Sequence, residues 1–362
     1  PTYRRPRLLC RAILSALRQS YPHVRVYVYD NASGDDTKAV VAALAQRDNR
    51  VHYFQQHKNI GYVDNIIYGI RNIATPYFSV LSDDDVLMPG FYETAMAGFN
   101  RYPDAKFSAM DVAKISSSLE ILAGPIWSEM NTCRYYEQGR AFEGVAKGSI
   151  PVPWVGTVFR REVLDKIGAP NRDAGPYLND DFVLHAAARF ACVISGGIGC
   201  LVTEGSHSVG ASMQAMNAEW PGWVQTVRDD IIFDPLVNGH IRGIARRLVA
   251  PNFRRIAYQQ VVQGLGRFGH RDVDYARQVA TGVGSCGHPV MSMLLRAVVW
   301  LHENFMPFRA AFNNFVQYRK SRTAEHRSHL SQQYTHLVDY LSSLEASIPA
   351  EALRQSRPDM KL

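Results

Sequence analysis

The sequence lacks any apolar run of the roughly 18 to 20 residues that a membrane-spanning helix requires. The longest candidate, Val290–Leu301, is interrupted by Arg296. A secretory signal peptide is also missing. The 362 residues include five cysteines, an odd number without CxxC spacing, which argues against a disulfide framework or a zinc knuckle. These absences together predict a cytoplasmic protein that keeps its thiols reduced.

What the sequence does contain is an alternation of helix and strand patterns over about the first 100 residues. Apolar residues recur at helical spacing in Leu8–Leu17, and the alternating stretch at Val24–Tyr29 predicts a strand. Further helix patterns cover Thr37–Gln46 and Asn65–Ile73, and further strand patterns cover Val51–Phe54 and Tyr77–Leu81. This alternation is typical of an α/β fold, a doubly wound, mostly parallel sheet with helices on both faces.

The strand pattern disappears beyond about Met213, which divides the chain into two predicted regions. Residues 1–212 form the α/β domain, with halves of about 1–109 and 110–212, and residues 213–362 form a helical, basic C-terminal region. The net charge of +7 comes from this second region, because Ile241–Leu330 holds 14 Arg and Lys against 4 Asp and Glu. Helix patterns also cover Phe159–Ile167, Phe182–Phe190, Ile256–Leu265, Val290–Glu303 and Tyr334–Leu344.

Three consecutive carboxylates follow the predicted strand at Tyr77–Leu81. In an extended segment alternate residues point the same way, so Asp83 and Asp85 share one face while Asp84 points to the other. Convergent carboxylate oxygens favour Mg²⁺ or Mn²⁺, and a bound cation would remove the repulsion between the acids. The alternative is a polar turn in which Asp83 or Asp84 caps a helix that starts near Pro89.

A second group of polar residues follows the first predicted strand. Asp30 ends this strand and opens a turn that contains Asn31, Ser33 and Gly34. Such a turn can offer hydrogen bonds to a flat ligand such as a base or a ribose. Ser33, Asp35 and Asp36 are also good N-cap residues, and we assign these three to that structural role. Since ligands of such sheets bind at the carboxyl ends of strands, the Asp30 turn and the acidic triplet should face one crevice.

Six segments, in this order, resemble those of a family 2 glycosyltransferase with the GT-A fold: PTYRRP, YPHVRVYVYDNASGDDT, NIGYVDN, YFSVLSDDDVLMPGF, VFRREVLDKIGAP and NDDFVLHAA. The resemblance covers about residues 1–210. The pairing of DNASGDDT with LSDDD is similar to bacterial enzymes that extend surface polysaccharides, including the abequosyltransferase-like branch. The resemblance also implies a short apolar strand immediately before Pro1, where the given sequence starts.

The resemblance implies a nucleotide-sugar site in the first half of the domain. The nucleotide would contact Pro1, Thr2, Tyr3, Arg5, Asp30, Asn31, Asn59, Asn65, Asp83 and Asp84. Asp85 and Asp83 would hold Mn²⁺ or Mg²⁺, with His207 of the GSHSVGAS loop as a third ligand or a pyrophosphate donor. The cation would stabilise the charge that develops on the departing nucleoside diphosphate. For His207, the alternative is a solvated loop histidine.

The same resemblance implies a catalytic pair in NDDFVLHAA. A sugar hydroxyl is a poor nucleophile until its proton is removed, and Asp181 is the implied base, with Asp180 orienting it or the acceptor. Repulsion between the two acids would raise one pKa. The alternative is that one or both cap the helix pattern that starts at Phe182.

Acceptor binding is predicted for the segment PVPWVGTVFRR. Trp154 would stack on an acceptor sugar, although a tryptophan in such a segment is as often a core residue. Arg160 and Arg161 would hold a phosphate; the alternative for Arg161 is a solvent-facing position on a helix.

The C-terminal region lies outside the resemblance. It mixes Arg with Leu, Phe, Trp and Met, a composition typical of helices that rest on anionic lipid. Peripheral contact with the inner face of the cytoplasmic membrane would serve a polyprenyl-linked acceptor. The alternative is that these helices pack against the catalytic domain or against a second copy in a homo-oligomer. No recognised module accompanies the charge, which argues against nucleic-acid binding.

The sequence therefore predicts a metal-dependent glycosyltransferase that moves a sugar from a UDP-, GDP-, dTDP- or CDP-linked donor to a glycan or lipid-linked hydroxyl, with inversion. A sugar-phosphate nucleotidyltransferase is one alternative, for which Arg4, Arg5 and Arg7 offer a weak triphosphate loop. A catalytically silent glycan-binding or scaffold protein is the other, and it would tolerate replacement of Asp85 and Asp181.

Overall fold

A computed structural model describes most of the chain and divides it into two units. The described residues are 1–125, 132–204, 220–235, 237–245, 258, 261, 265, 273–285, 289–314, 330 and 332–349. The first unit comprises Pro1–Ala141, Gly148–Gly205 and Leu330–Leu362, and the second comprises Phe142–Lys147 and Ser206–His329. The end of the chain thus belongs with the α/β unit, a division that differs from the predicted regions 1–212 and 213–362.

Helices and strands alternate at the start of the first unit. The elements are α1 (Pro6–Leu17), β1 (Val26–Asp30), α2 (Thr37–Arg47), β2 (Val51–Gln55), α3 (Tyr62–Arg71), β3 (Tyr77–Phe78), β4 (Val86–Leu87) and α4 (Phe91–Arg101). Helix α1 starts with Pro6, whose fixed φ suits the first turn. Its apolar face, with Leu9 and Ile13, packs in one cluster with Val28 of β1 and Val41 of α2.

The next elements, in chain order, are β5 (Phe107–Ser116), β6 (Ile121–Ala123), β7 (Cys133–Tyr136), α5 (Phe142–Lys147, in the second unit), β8 (Thr157–Arg160), α6 (Glu162–Ile167), α7 (Leu178–Arg189) and β9 (Cys192–Glu204). Strands β1 and β2 form a parallel pair. A seven-stranded sheet has the order β3-β8-β5-β9-β4, with β6 beside β5 and β7 beside β9.

The α/β class is confirmed, but the larger sheet is mixed rather than mostly parallel. Within it β5 and β9 are parallel, whereas the remaining pairs between the described strands are antiparallel. The expectation came from the first 100 residues, where helices separate the strands. In the second half β5 turns directly into β6, and short connections of this kind join antiparallel strands.

Three predicted elements have different bounds in the structure. Phe159 and Arg160 end strand β8, so the helix predicted over Phe159–Ile167 begins only at Glu162. A short buried apolar run cannot be assigned to strand or helix from periodicity alone, which explains this error. The strand predicted over Tyr77–Leu81 is limited to Tyr77–Phe78. Helix α7 begins at Leu178, so the acidic pair lies inside its first turn.

A cavity of about 940 Å³ lies in the first unit between β1 and β3, two strands that do not pair in the described structure. At its end, the Thr2 amide donates to the Tyr29 carbonyl at 3.0 Å, and the Asn31 amide donates to the Thr2 carbonyl at 3.0 Å. The backbone at Thr2 therefore runs parallel to the end of β1.

The second unit contains α8 (Trp220–Phe233), α9 (Val273–Ser285) and α10 (Pro289–Asn304), and residues 239–245 and 306–314 are also helical. Ser292 Oγ donates to the Ala280 carbonyl at 2.6 Å and joins α10 to α9. As predicted, the described residues of this unit form helices and no strands. Most of the helix predicted over Ile256–Leu265 lies outside the described residues. Nowhere in the described structure is a helix long and apolar enough to cross a membrane.

The last described helix, α11 (Thr335–Ala346), belongs to the first unit. Its Leu337, Leu341 and Leu344 pack in one core cluster with Val86 and Leu201. The Tyr340 hydroxyl donates to the carbonyl of Leu87 at 3.1 Å. Of the alternatives for the C-terminal helices, packing against the α/β unit therefore describes α11.

Close packing between β9, β5 and α4 yields a stability prediction. A Cβ atom on Gly199 would lie 2.6 Å from Met110 Cβ and 2.9 Å from Phe91 Cδ2. We expect Gly199→Ala to destabilise the protein by about 1–3 kcal/mol because the buried neighbours must move. Gly239→Ala is the control, since nothing lies within 4 Å of its added Cβ. Thermal unfolding followed by circular dichroism compares the two, and equal midpoints would contradict the packing argument.

Candidate active site

The acidic triplet lies in the turn between β3 and β4, where residues from the start of the chain partly neutralise it. Arg5 Nη1 donates to Asp83 Oδ1 at 3.1 Å and to Asp84 Oδ2 at 3.0 Å. Thr2 Oγ1 donates to Asp83 Oδ2 at 2.8 Å. Asp83 and Asp85 are buried and Asp84 is half-buried. The counter-charge that the local sequence does not provide therefore comes from Arg5, which was predicted to contact the nucleotide.

Asp85 is the most deeply placed acid of the triplet, with 4% of its surface exposed. The Thr203 amide of β9 donates to its Oδ1 at 2.8 Å. Burial, followed by the charge of Asp84, raises the pKa of Asp85 to about 8. Burial and the charge of Asp83 also raise the pKa of Asp84, which the Arg5 guanidinium opposes. Negative charge at this position would be stabilised by an additional cation.

Arg11 of α1 lies behind the triplet and was not predicted from the sequence. Its side chain is 2% exposed. Nη2 donates to the Asp84 carbonyl at 2.7 Å and to Thr203 Oγ1 at 3.2 Å. Glu345 of α11 approaches Arg11 Nη1 at 3.5 Å. The sequence did contain a signal, because an arginine on the apolar face of a predicted helix needs a buried partner.

Asp30 ends β1 and is 1% exposed. Its carboxylate accepts hydrogen bonds from the Ser33 amide at 3.0 Å, the Ser33 hydroxyl, Tyr53 Oη at 2.6 Å and Gln55 Nε2 at 3.3 Å. Most of its acceptor capacity is therefore used by Ser33 of the turn and by Tyr53 and Gln55 of β2. Ser33 belongs to this network rather than to a helix cap, and Asp36 occupies the N-cap position of α2 without a side-chain bond. Asp35 does accept a bond from the Thr37 amide at 3.0 Å.

Three asparagines predicted to contact a nucleotide lie close to the Asp30 turn. Asn31 Nδ2 donates to Asn59 Oδ1 at 2.9 Å, which joins these two side chains beyond the end of β1. Asn65 Nδ2 donates to the Tyr29 carbonyl at 2.9 Å and holds α3 against β1. Asn31 and Asn65 are buried, whereas Asn59 is exposed. Pro1 is half-buried and Tyr3 is exposed.

The acidic pair lies in the first turn of α7, with different surroundings for its two members. Asp180 is exposed, whereas Asp181 is 2% exposed and its Oδ1 lies 3.8 Å from His185 Nε2. Asn179, the preceding residue, donates to Tyr62 Oη at 3.5 Å. Burial and then the triplet charges raise the pKa of Tyr62 to about 12. Tyr62 thus contacts the start of α7 and interacts electrostatically with the triplet.

The two predicted acceptor residues make contacts within the protein. Trp154 is buried, with its ring 5.5 Å from that of Phe182 and 6.1 Å from that of Phe159. Arg160 Nε donates to the Ala105 carbonyl at 2.9 Å, and its guanidinium lies over the Tyr77 ring at 5.2 Å. These contacts favour the core alternative for Trp154 and give Arg160 a packing role. Their acceptor-binding roles stay predictions.

The carboxylates of the triplet are oxygen donors of the kind that a divalent cation binds. Within the described structure, no three His, Cys, Asp or Glu side chains are grouped to hold a metal. His207 lies outside the described residues. The oxygens of Asp83 and Asp85 nevertheless suit Mg²⁺ or Mn²⁺, which often take one or two carboxylates together with water and substrate phosphates. The donor set therefore fits a cation that arrives with, or is completed by, a diphosphate.

Comparison with known families gives a match to glycosyl transferase family 2 over residues 1–168. The GalNAc(5)-diNAcBac-PP-undecaprenol beta-1,3-glucosyltransferase of Campylobacter jejuni is 36% identical over 101 residues, which cover 28% of this chain and 33% of that protein. Glycosyltransferase GlyG of Streptococcus pneumoniae is 24% identical over 94 residues, which cover 26% of this chain and 31% of that protein. The match thus spans about a third of these curated relatives. The abequosyltransferase-like branch stays a prediction.

Among solved structures, S. aureus TarS 1–349 in complex with UDP-GlcNAc has a TM-score of 0.59 and 14% sequence identity, and the match covers 89% of this chain and 90% of that one. The same fragment in a second structure has a TM-score of 0.57 at 13% identity. This likeness confirms the GT-A-like fold. Residues 1–168 of this chain thus resemble glycosyl transferase family 2.

Proposed function

We propose that this chain transfers a sugar from a nucleotide-sugar to a hydroxyl group of a glycan or a lipid-linked acceptor, with a divalent cation and with inversion. The observation that supports this most directly is the buried Asp85 carboxylate. Burial and the neighbouring charge of Asp84 both disfavour its ionised form. The UDP-GlcNAc bound by TarS supports a UDP-linked donor. The undecaprenol in the name of the C. jejuni relative supports a polyprenyl-linked acceptor.

In the proposed donor complex, Asp85 and Asp83 hold Mn²⁺ or Mg²⁺. When bound, the cation offsets the charge of the departing nucleoside diphosphate. Thr2 and Arg5 orient Asp83 through the hydrogen bonds described above. The base and ribose lie against the Asp30 turn, with Pro1, Tyr3, Asn31, Asn59 and Asn65 around them.

The proposed transfer step uses the acidic pair of α7. Asp181 accepts the proton of the acceptor hydroxyl as the acceptor oxygen attacks the anomeric carbon of the donor. The bond between that carbon and the diphosphate oxygen breaks on the opposite face, and its electron pair leaves with the nucleoside diphosphate. Asp180, exposed in the same turn, orients the acceptor.

Helix α10 offers a surface for the proposed contact with an anionic membrane. Several of its apolar side chains are exposed: Val290, Met293, Leu294 and Trp300. An amphipathic helix with such residues and a basic surrounding sequence binds the interface of an anionic bilayer. This contact would bring the enzyme to a lipid-linked acceptor.

A ligand panel tests the proposed function. Purified protein is heated with UDP-, GDP-, dTDP- or CDP-sugars, each with Mn²⁺ or with EDTA, and unfolding is monitored by fluorescence. We expect one nucleotide class to stabilise the protein in the presence of Mn²⁺ but not in the presence of EDTA. The stabilisation should be about 2.7 kcal/mol at a hundredfold excess of the ligand over its Kd. Stabilisation by a nucleoside triphosphate but by no diphosphate sugar would indicate the nucleotidyltransferase. If none of these ligands stabilises the protein, the remaining hypothesis is a catalytically silent glycan-binding or scaffold protein.

A further inference from the structure

We propose that helix α11 positions the acidic triplet through an Arg11–Glu345 pair. The inference rests on the proposed function, because it serves a triplet that binds the donor and its cation. Helix α11 would thus contribute to the site, although it lies outside residues 1–168, the segment that matches the family model.

Arg11 contacts the backbone of the triplet. Arg11 Nη2 donates to the Asp84 carbonyl at 2.7 Å, and Thr203 Oγ1 donates to the same oxygen. The Thr203 amide donates to Asp85 Oδ1 at 2.8 Å. Arg11 and Thr203 are also bonded to each other at 3.2 Å. Together they fix the peptide unit that sets the direction of the Asp85 carboxylate.

The buried Arg11 side chain requires an anionic partner. A guanidinium with 2% exposure has lost its hydration and requires a nearby negative charge. Glu345 Oε1 lies 3.5 Å from Arg11 Nη1 and provides that charge, while Oε2 accepts a bond from Arg7 at 2.9 Å. Asp85 and Asp84 also interact electrostatically with Arg11, so without Glu345 the guanidinium would be attracted to these carboxylates, of which Asp85 holds the proposed cation. Glu345 thus keeps Arg11 on the backbone carbonyl.

Helix α11 is also held in place by contacts that do not involve Glu345. Arg18 donates to Ser343 Oγ at 3.0 Å and to Ser347 Oγ at 2.6 Å. The leucine face of α11 is buried in the core. Removing the charge of Glu345 therefore leaves the helix packed, so positioning and packing can be separated by experiment.

The test uses the full chain with four variants. Glu345→Gln removes the counter-charge, and Arg11→Lys removes the forked donor. Arg7→Gln is the matched control for Glu345, because Arg7 shares that carboxylate and is 60% exposed. Arg18→Gln is the control for loosening of α11. Amide hydrogen exchange at residues 84–87 is measured without ligand, and Mn²⁺ affinity in the presence of UDP is measured by electron paramagnetic resonance.

We expect exchange at residues 84–87 to accelerate about 10-fold in Glu345→Gln and Arg11→Lys, with wild-type rates in both controls. Mn²⁺ affinity should fall about 10-fold in the same two variants. Wild-type exchange in Glu345→Gln overturns the proposal, as does equal acceleration in Arg18→Gln. If Arg11→Lys does not fold, Glu345→Gln decides alone. Accelerated exchange in a protein whose wild type binds neither Mn²⁺ nor UDP supports positioning and rejects the proposed function.

Discussion

An Asp85→Asn variant is expected to lose Mn²⁺-dependent donor binding and, above pH 8, to unfold at a higher temperature than the wild type. The pKa of Asp85 is raised from 3.8 to about 8, chiefly by burial. The folded protein therefore holds this proton more tightly than the unfolded chain does, and its stability falls as the pH rises through that window. A neutral asparagine avoids the loss. We expect the midpoint to rise by roughly 2–4 °C for each kcal/mol regained.

Differential scanning fluorimetry with EDTA, from about pH 5 to pH 9, measures the stability part of this prediction. The gain should be smallest at about pH 5, grow with pH, and be complete above the raised pKa of Asp85. Asp48→Asn is the matched control, because hydrogen bonds from Arg50 lower the pKa of Asp48. That variant should show no gain at high pH and should bind Mn²⁺ and donor normally. Undiminished Mn²⁺-dependent stabilisation of Asp85→Asn would remove Asp85 from the cation site.

An Asp181→Asn variant is expected to transfer sugar about 10²–10⁴-fold more slowly while binding the donor with unchanged affinity. An asparagine cannot accept the acceptor proton, whereas in the proposed complex the triplet and the Asp30 turn hold the donor. Initial transfer rates with radiolabelled nucleotide-sugar, together with calorimetric donor binding, separate the two effects.

Asp180→Asn is the matched neighbour for this experiment, since it makes the same change in the same helical turn. Its side chain is exposed, whereas that of Asp181 is 2% exposed. We expect a smaller loss in Asp180→Asn, seen mainly as a higher KM for the acceptor. The reverse ranking would make Asp180 the base. Normal turnover in both variants would exclude the acidic pair from the mechanism.

Features that depend on short stretches of chain could be predicted from the sequence. The strand at β1 and the acids that follow β3 were located correctly, because alternation and polar strand ends are local patterns. The placement of the Asp30 and Asp83–Asp85 turns within one unit then follows from the α/β order.

Features that depend on distant contacts could not be predicted. The guanidinium that faces Asp83 and Asp84 comes from Arg5, and the counter-charge of Arg11 comes from the last helix. Neither pairing leaves a spacing signal in the sequence. The mixed sheet has the same cause, because the parallel contact of β5 with β9 joins strands that lie far apart in the chain.

The place of α11 in the core has a consequence for how the protein is made. Its leucines complete a cluster that includes Val86 and Ile115, and Ile348 joins the cluster of Leu9. These residues leave the ribosome after the rest of the α/β unit, so until then the nascent unit exposes the apolar surface that they cover. Such surfaces favour aggregation. Expression fragments that stop before residue 330 should therefore be recovered mainly in inclusion bodies, however complete their catalytic motifs.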